Sequence, residues 1–305
     1  MTFEEAIQFV QGHLTDGMLF VVGSGLSSAE GLPGMPDLAT NLKASVSAIT
    51  SSDRALWERI SAALDAGDGL EAALIKFAPT PSLEAWIAET VCKILMPAER
   101  TVIREVIQGT RTLRLSKLLA KVLKSSNGLP ILTPNYDRLV EVACEVAGFH
   151  VDTMVVGSYA GSFDPKKSCM GSCSGIIKRG KATVLDHFPR AIVLKPHGSF
   201  DWYRSGETVL HSKLELDGER MIITPGLNKY RAGYMFPFDM HREFANKHID
   251  SCTRMLVVGY GFNDDHLQTH LERRIREGAP TLIVTRDASA KARQLSAEAP
   301  NSTTL

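Results

Sequence analysis

Residues Phe20–Pro36 read FVVGSGLSSAEGLPGMP. The apolar run MLFVV ends there in GSGLSS and then in a second glycine-proline turn. A buried strand that stops at Gly-x-Gly before small hydroxyl residues is how a parallel α/β sheet meets a phosphate. The glycines let the backbone turn sharply and approach a pyrophosphate, and Ser24, Ser27 and Ser28 can donate hydrogen bonds to it. A third glycine in dinucleotide-fingerprint register is missing, because position 28 is Ser. A strand-to-helix turn with no ligand fits these residues equally well.

Working outward, the chain alternates strand and helix on both sides of one helical stretch. From 51 to 126 apolar residues recur at helical spacing, as in Leu56, Trp57, Ile60 and Leu64, and no strand interrupts them. At Leu129 the α/β pattern returns with LPILTPNYDRLVEVACEVAGF. Val151–Val156 and Ala191–Lys195 read as strands, and Thr208–Met221 as a polar hairpin around Asp217-Gly218. RMLVVGYGFNDDHLQTHLERRIREG is strand, glycine turn and helix, and PTLIVTR is a last strand. The expected fold is α/β, a Rossmann-like, mainly parallel sheet with an all-helical insertion. The expected domains are an α/β unit over 1–50 and 127–290, the helical module at 51–126, a long flexible loop at 157–190 and a polar, frayed tail at 291–305. The loop carries Lys166, Lys167, Lys178, Arg179 and Lys181, which suit a solvated loop or an anion-binding lid.

The bulk numbers exclude several classes. The 305 residues can bury a large core. Lys plus Arg and Asp plus Glu are 34 each, so no global basic field argues for nucleic-acid binding. No apolar run is long enough to cross a bilayer, and the early residues carry acids rather than a basic signal start. A cytoplasmic protein is expected. Five scattered cysteines suit a reducing compartment. Only Cys169 and Cys173 are close, and a structural zinc site usually needs four ligands, so no metal is expected.

Four strand ends carry polar or glycine-rich sequence: GSGLSS at 23–28, TPNYD at 133–137, KPHGS at 195–199 and GYGFNDDH at 259–266. In open parallel sheets the ligand sits outside the carboxyl ends of the strands. The ordered set resembles the sirtuin-like NAD-binding superfamily, and more closely its bacterial branch of sirtuin-like NAD hydrolases in antiphage defence. The sirtuin Gly-Ala-Gly-x-Ser loop is matched by Gly23-Ser24-Gly25-Leu26-Ser27, and Gly-Ile-Pro by Gly31-Leu32-Pro33. Thr-x-Asn-x-Asp is matched by Thr133, Asn135 and Asp137, and His-Gly by His197-Gly198. The extended Lys-x-His-Gly-Ser-x-x-Trp of the sirtuin-like branch is matched by Lys195 to Trp202. Two departures bear on activity. No arginine follows Pro33 in the way Asp-Phe-Arg does in deacylating sirtuins, and only Cys252 follows His197, where they carry a four-cysteine zinc module.

The resemblance implies an NAD+ hydrolase that releases nicotinamide and ADP-ribose, or a cyclic form of it, as an abortive antiphage effector. The alternatives are an NAD-dependent deacylase or ADP-ribosyltransferase, and a non-catalytic NAD or ADP-ribose sensor. On residues alone, Asn135 fits a helix N-cap and His197 a core histidine. The resemblance makes them the catalytic candidates: Asn135 to hold a ribose hydroxyl and a water, His197 to accept a proton near neutral pH. Asp137 either supports the ribose or His197, or caps the following helix. Gly23, Ser24, Gly25, Ser27, Pro33, Thr133, Gly198, Gly259, Gly261 and Asn263 are the implied NAD contacts. Asp264 and Asp265 suit the first turn of a helix. A homo-oligomer is expected, or a gating partner such as an ATPase, an Argonaute-type protein or a phage trigger protein. The chain is expected either to be complete or to be the N-terminal part of a larger defence protein.

Overall fold

A computed structural model of the chain describes residues 3–45, 50–125, 127–216, 218–226, 235–262, 264–299 and 301–305. Helix α1 (Phe3–His13) leads into β1 (Met18–Val22), α2 (Ser24–Ala29) and α3 (Met35–Ala44). Four helices follow: α4 (Ser51–Asp65), α5 (Leu70–Lys76), α6 (Pro81–Ile107) and α7 (Arg114–Leu119). Then come β2 (Leu129–Leu132), α8 (Leu139–Val146), β3 (His150–Asp152), β4 (Val155–Val156), β5 (Ala160–Phe163) and α9 (Pro165–Gly171). Next are β6 (Cys173–Arg179), β7 (Ala182–His187), β8 (Arg190–Leu194), β9 (Gly198–Ser205), β10 (Thr208–Ser212) and β11 (Glu219–Ile222). The last elements are α10 (Phe238–Ser251), β12 (Arg254–Val258), α11 (Asp265–Arg276), β13 (Thr281–Val284), α12 (Ala290–Glu298) and β14 (Ser302–Thr304).

The organising layer is a seven-stranded sheet in the order β14-β13-β12-β1-β2-β8-β3. Every pairing in it is parallel. A parallel sheet is covered on both faces, so its strands are apolar throughout rather than alternating. In β1, Met18, Phe20 and Val22 enter one core while Leu19 and Val21 enter the other. Each such side chain contributes about 1.5–3 kcal/mol relative to exposure. Helix α8 and the end of α6 cover the first face; α10, α11 and α12 cover the second. Strand order reverses at β1, with β2 on one side and β12 on the other, so the crevice for a ligand opens above their C-terminal ends.

The described part of 51–126 is helical, as its periodicity requires, but it does not pack as one body. Trp57, Ile60, Leu74, Leu83 and Ile87 form a separate core with Leu38, Leu42 and Phe200. Val102, Val106, Leu115 and Leu119 join the main sheet instead. Helix α6 therefore runs from one core into the other. Buried Glu99 fixes its position: its Oε1 accepts from the Arg138 backbone N–H at 2.6 Å and from Nε at 3.0 Å, just before α8.

Three expectations are corrected. The stretch 157–190 is not a long loop, for it holds β5, α9 and the β6–β7 hairpin closed at Gly180 (φ 62°). Lys166 and Lys167 lie in α9, Lys178 lies in β6, and Lys181 lies in the turn between β6 and β7. The tail 291–305 is not frayed: α12 buries Ala292 and Leu295, and polar β14 adds a seventh parallel strand beside β13. Thr208–Met221 is not a hairpin on itself, because β10 and β11 flank β9 on opposite sides. Asp217 of the expected turn lies outside the described residues. No described helix is long and apolar enough to cross a membrane.

Candidate active site

The crevice is built first by glycines. Gly23 follows β1 and Gly259 follows β12, two strands in register at Val22 and Val258. The Gly23 N–H donates to Val258 O at 2.9 Å and the Gly25 N–H to Gly259 O at 3.0 Å. A Cβ on Gly23 would lie 2.4 Å from Gly259 O, and Gly259 itself has φ +60°. These glycines let two strand-end turns touch. Ser24 and Gly25 are exposed at the start of α2, and Pro33 is half-buried between α2 and α3. Gly261 accepts the Ser289 hydroxyl on its carbonyl at 2.7 Å. Asn263 lies outside the described residues.

The turn after β2 supplies a polar relay. Thr133 is fully buried, and its Oγ1 accepts the Asn135 N–H at 3.2 Å. Asn135 Nδ2 donates to Gly23 O at 3.0 Å and to Ser27 Oγ at 2.9 Å. Ser27 in turn donates to Asp137 Oδ2 at 2.7 Å, and Asp137 Oδ1 accepts the Leu139 N–H at 3.2 Å. A backbone carbonyl can only accept, so Gly23 O fixes which end of the Asn135 amide is nitrogen. Both amide hydrogens are thereby used, and the carbonyl Oδ1 carries no hydrogen bond among the described residues. Burial pushes the Asp137 carboxyl up, against the Lys195 charge and the Ser27 hydroxyl, which lower it. Asp137 thus stands one residue before the Arg138 N-cap, and its carboxylate binds the first N–H of α8 and the Ser27 hydroxyl. Among the described residues its carboxylate makes no bond to His197, which pairs with Asp264 instead.

His197 follows β8, the neighbour of β2. Leu132 and Leu194 pair across these strands, so Asn135 and His197 each stand three residues beyond a matched pair. His197 Nε2 is 2.9 Å from Asp264 Oδ2, and both side chains are buried. Gly198 has φ +86°, and a Cβ there would lie 2.0 Å from Met221 O, so this position beside His197 accepts only glycine. The Ile223 N–H donates to His197 O at 2.9 Å and completes the support. Sequence reasoning missed Asp264, which it read only as a residue of the helix first turn. The available signal was its place at a fourth glycine-rich strand end.

The arrangement holds an amide carbonyl and an imidazole on adjacent strand ends, each locked by a second polar side chain. It can orient a hydroxyl or water and take a proton from it. Among the described residues, no group of three or more His, Cys, Asp or Glu side chains converges as a metal site. A cleft of about 1430 Å³ lies elsewhere, between α6 and the β9–β11 sheet, lined by Cys92, Met96, Arg220, Met221 and Phe238. None of Asn135, Asp137, His197 or Asp264 lines it.

Comparison with known families finds that the sequence model described as SIR2-like domain matches residues 130–305. No curated protein sequence matches the chain. Among solved structures, a Sir2 homologue in complex with NAD aligns over 100% of this chain and 88% of its own, at 13% identity and a TM-score of 0.44. A mutant Sir2 homologue with 2'-O-acetyl ADP ribose aligns over 99% and 90%, at 14% identity and 0.43. A complex of Sir2, p53 peptide and NAD+ aligns over 95% and 89%, at 12% identity and 0.37.

Proposed function

The chain belongs to the SIR2-like domain family, and on that premise we propose that it is an NAD+ hydrolase. Water adds to the anomeric carbon of the nicotinamide ribose as the C–N bond breaks. The products are nicotinamide, ADP-ribose and a proton. The carbon carries oxocarbenium character in the transition state, so the site must hold the ribose and place the water. The Asn135 carbonyl accepts a hydrogen bond from the water or a ribose hydroxyl. If His197 donates its Nε2–H to Asp264, its Nδ1 is left as the acceptor for the departing proton. The observation that carries this reading is the register of Asn135 and His197 beyond Leu132 and Leu194, each held by its own partner.

Gly23, Ser24 and Gly25 are the proposed pyrophosphate contacts, with Pro33, Thr133, Gly198, Gly259 and Gly261 around the rest of the dinucleotide. Ser27 moves from that list to the support of Asn135, because its hydroxyl is already shared between Asn135 and Asp137. The biological role we assign is antiphage defence by depletion of NAD, with activity gated by assembly or by a partner protein.

Purified protein incubated with NAD+ alone tests the reaction through release of nicotinamide. Turnover is expected without an acceptor peptide, and it is expected to vanish in Asn135→Ala and His197→Ala. Full activity in either variant would sink the mechanism. Turnover that requires an acylated or nucleophilic acceptor would move the protein to deacylation or ADP-ribosyl transfer. Binding without turnover, in the presence of an activating partner, would make it a sensor.

A further inference from the structure

Lys195 follows β8 and carries one of the largest fully buried side chains, at 1% exposure. An ammonium in that position is costly unless its donors are satisfied. It has three N–H groups and three acceptors: Asp137 O at 2.5 Å, Glu141 Oε1 at 2.8 Å and Tyr136 O at 3.4 Å. A lysine that served only to anchor α8 would need Glu141 alone. Two of its three contacts go instead to the carbonyls of the two residues that follow Asn135.

Those residues lie in the segment 133–138, which belongs to neither β2 nor α8. The Thr133 N–H still donates to Leu194 O and the Arg138 carbonyl accepts the Val142 N–H, but between these ends no ladder or helical pattern fixes the backbone, so its shape depends on cross-links from neighbours. The Tyr136 carbonyl also accepts the Phe200 N–H at 3.1 Å and the Ser199 hydroxyl at 3.3 Å. Among the described residues the Asp137 carbonyl accepts from Lys195 alone. The strand end that bears His197 thus grips the turn that bears Asn135, and it does so through the residue two positions before His197.

We propose that Lys195 is a positioning residue: its ammonium clamps the Tyr136 and Asp137 carbonyls and so sets Asn135 against His197. This rests on the hydrolase reading for its activity readout, and on the turn's backbone for a readout that needs no activity. Glu141 neutralises the buried charge without touching the turn.

Three variants test it: Lys195→Met, Lys195→Met with Glu141→Met, and Glu141→Gln. Each is followed by thermal unfolding, by kcat and KM for nicotinamide release, and by amide hydrogen exchange across residues 133–139. Lys195→Met strands Glu141 and is expected to lose stability. The double variant removes both charges and is expected to regain most of that loss. Its kcat is nonetheless expected to stay about 10- to 100-fold down, with KM little changed. Exchange at 133–139 is expected to stay faster than in the unaltered protein. Glu141→Gln keeps the carbonyl grip, so its kcat is expected to hold within about threefold. If stability and kcat recover together in the double variant and exchange at 133–139 is normal, Lys195 is only a stabilising ion-pair partner and the proposal is overturned. An equal kcat loss in Glu141→Gln overturns it too. If the unaltered protein releases no nicotinamide, the hydrolase reading fails by itself, and hydrogen exchange at 133–139 still decides the clamp.

Discussion

His197 Nε2 and Asp264 Oδ2 lie 2.9 Å apart, between side chains carried by the ends of β8 and β12. Those strands are separated in the sheet by β1 and β2, so the contact spans the crevice. A carboxylate on one ring nitrogen fixes the imidazole's orientation and the role of the other. Asp264→Asn keeps the size but can present a donor to Nε2. We expect kcat for nicotinamide release to fall about 10²-fold with KM within threefold, at the lower end of what acid–base catalysis supplies. Steady-state kinetics check it, and an unchanged kcat would remove Asp264 from the mechanism.

Ser27 joins Asn135 to Asp137 through one hydroxyl. Ser27→Ala leaves the buried Asp137 carboxylate short of a donor and one Asn135 amide hydrogen short of an acceptor. The expected cost is about 1–3 kcal/mol in urea unfolding. Turnover is expected to fall with it, since the Asn135 side-chain amide is then held by Gly23 O alone. Ser27→Thr retains the hydroxyl and should keep more of both. Ser27→Ala with full stability and full turnover would mean the relay is dispensable.

The strand ends were legible because their chemistry is local. MLFVV followed by Gly-x-Gly announces β1 and its turn, and Asn135 and His197 stand next to strands that read as strands. Partner choice was not legible. Asp264 reaches His197 only because the turn after β12 passes through left-handed Gly259 (φ 60°) and Phe262 (φ 54°). Nothing in the sequence NDDH marks Asp264 as a residue that turns inward. Strand β14 was missed for another reason: Ser302, Thr303 and Thr304 join the sheet by backbone pairing, which leaves no apolar signature. The β6–β7 hairpin was hidden by its lysines, although Ile176 and Leu185 face each other across it.

Close approach of glycines makes its own prediction. A Cβ at Gly23 would meet Gly259 O at 2.4 Å and Tyr260 Cα at 2.5 Å, all backbone. Gly23→Ala must push the two strand-end turns apart, and Gly23 O carries one of the Asn135 bonds. We expect a loss of about 1–3 kcal/mol and at least a tenfold drop in turnover. Gly12, inside α1, has nothing within 4 Å of a built Cβ. Gly12→Ala is expected to gain about 0.5–1 kcal/mol with turnover unchanged. Equal effects at the two positions would show that the contact with Gly259 does not matter.

The last prediction concerns pH. His241 is fully buried beneath Lys195, tilted against Trp202 with ring centroids 4.6 Å apart, and its Nδ1 accepts the Lys195 N–H at 3.2 Å. Burial, helped by the Lys195 charge, pushes it down from 6.5 to about 3. The unfolded chain therefore binds a proton below pH 6.5 that the folded chain refuses until about pH 3. Stability from this group is complete above pH 6.5 and is lost as pH falls through that window. The slope approaches 1.4 kcal/mol per pH unit, or about 2 kcal/mol between pH 6.5 and 5. His241→Phe fills the same aromatic surroundings without titrating. It leaves the Lys195 N–H without its acceptor, a cost that does not vary with pH. Urea unfolding at pH 7, 6 and 5 should therefore show the original protein losing stability faster than His241→Phe. Parallel stability curves would mean that His241 titrates alike in the folded and unfolded chains, and that acid sensitivity arises elsewhere.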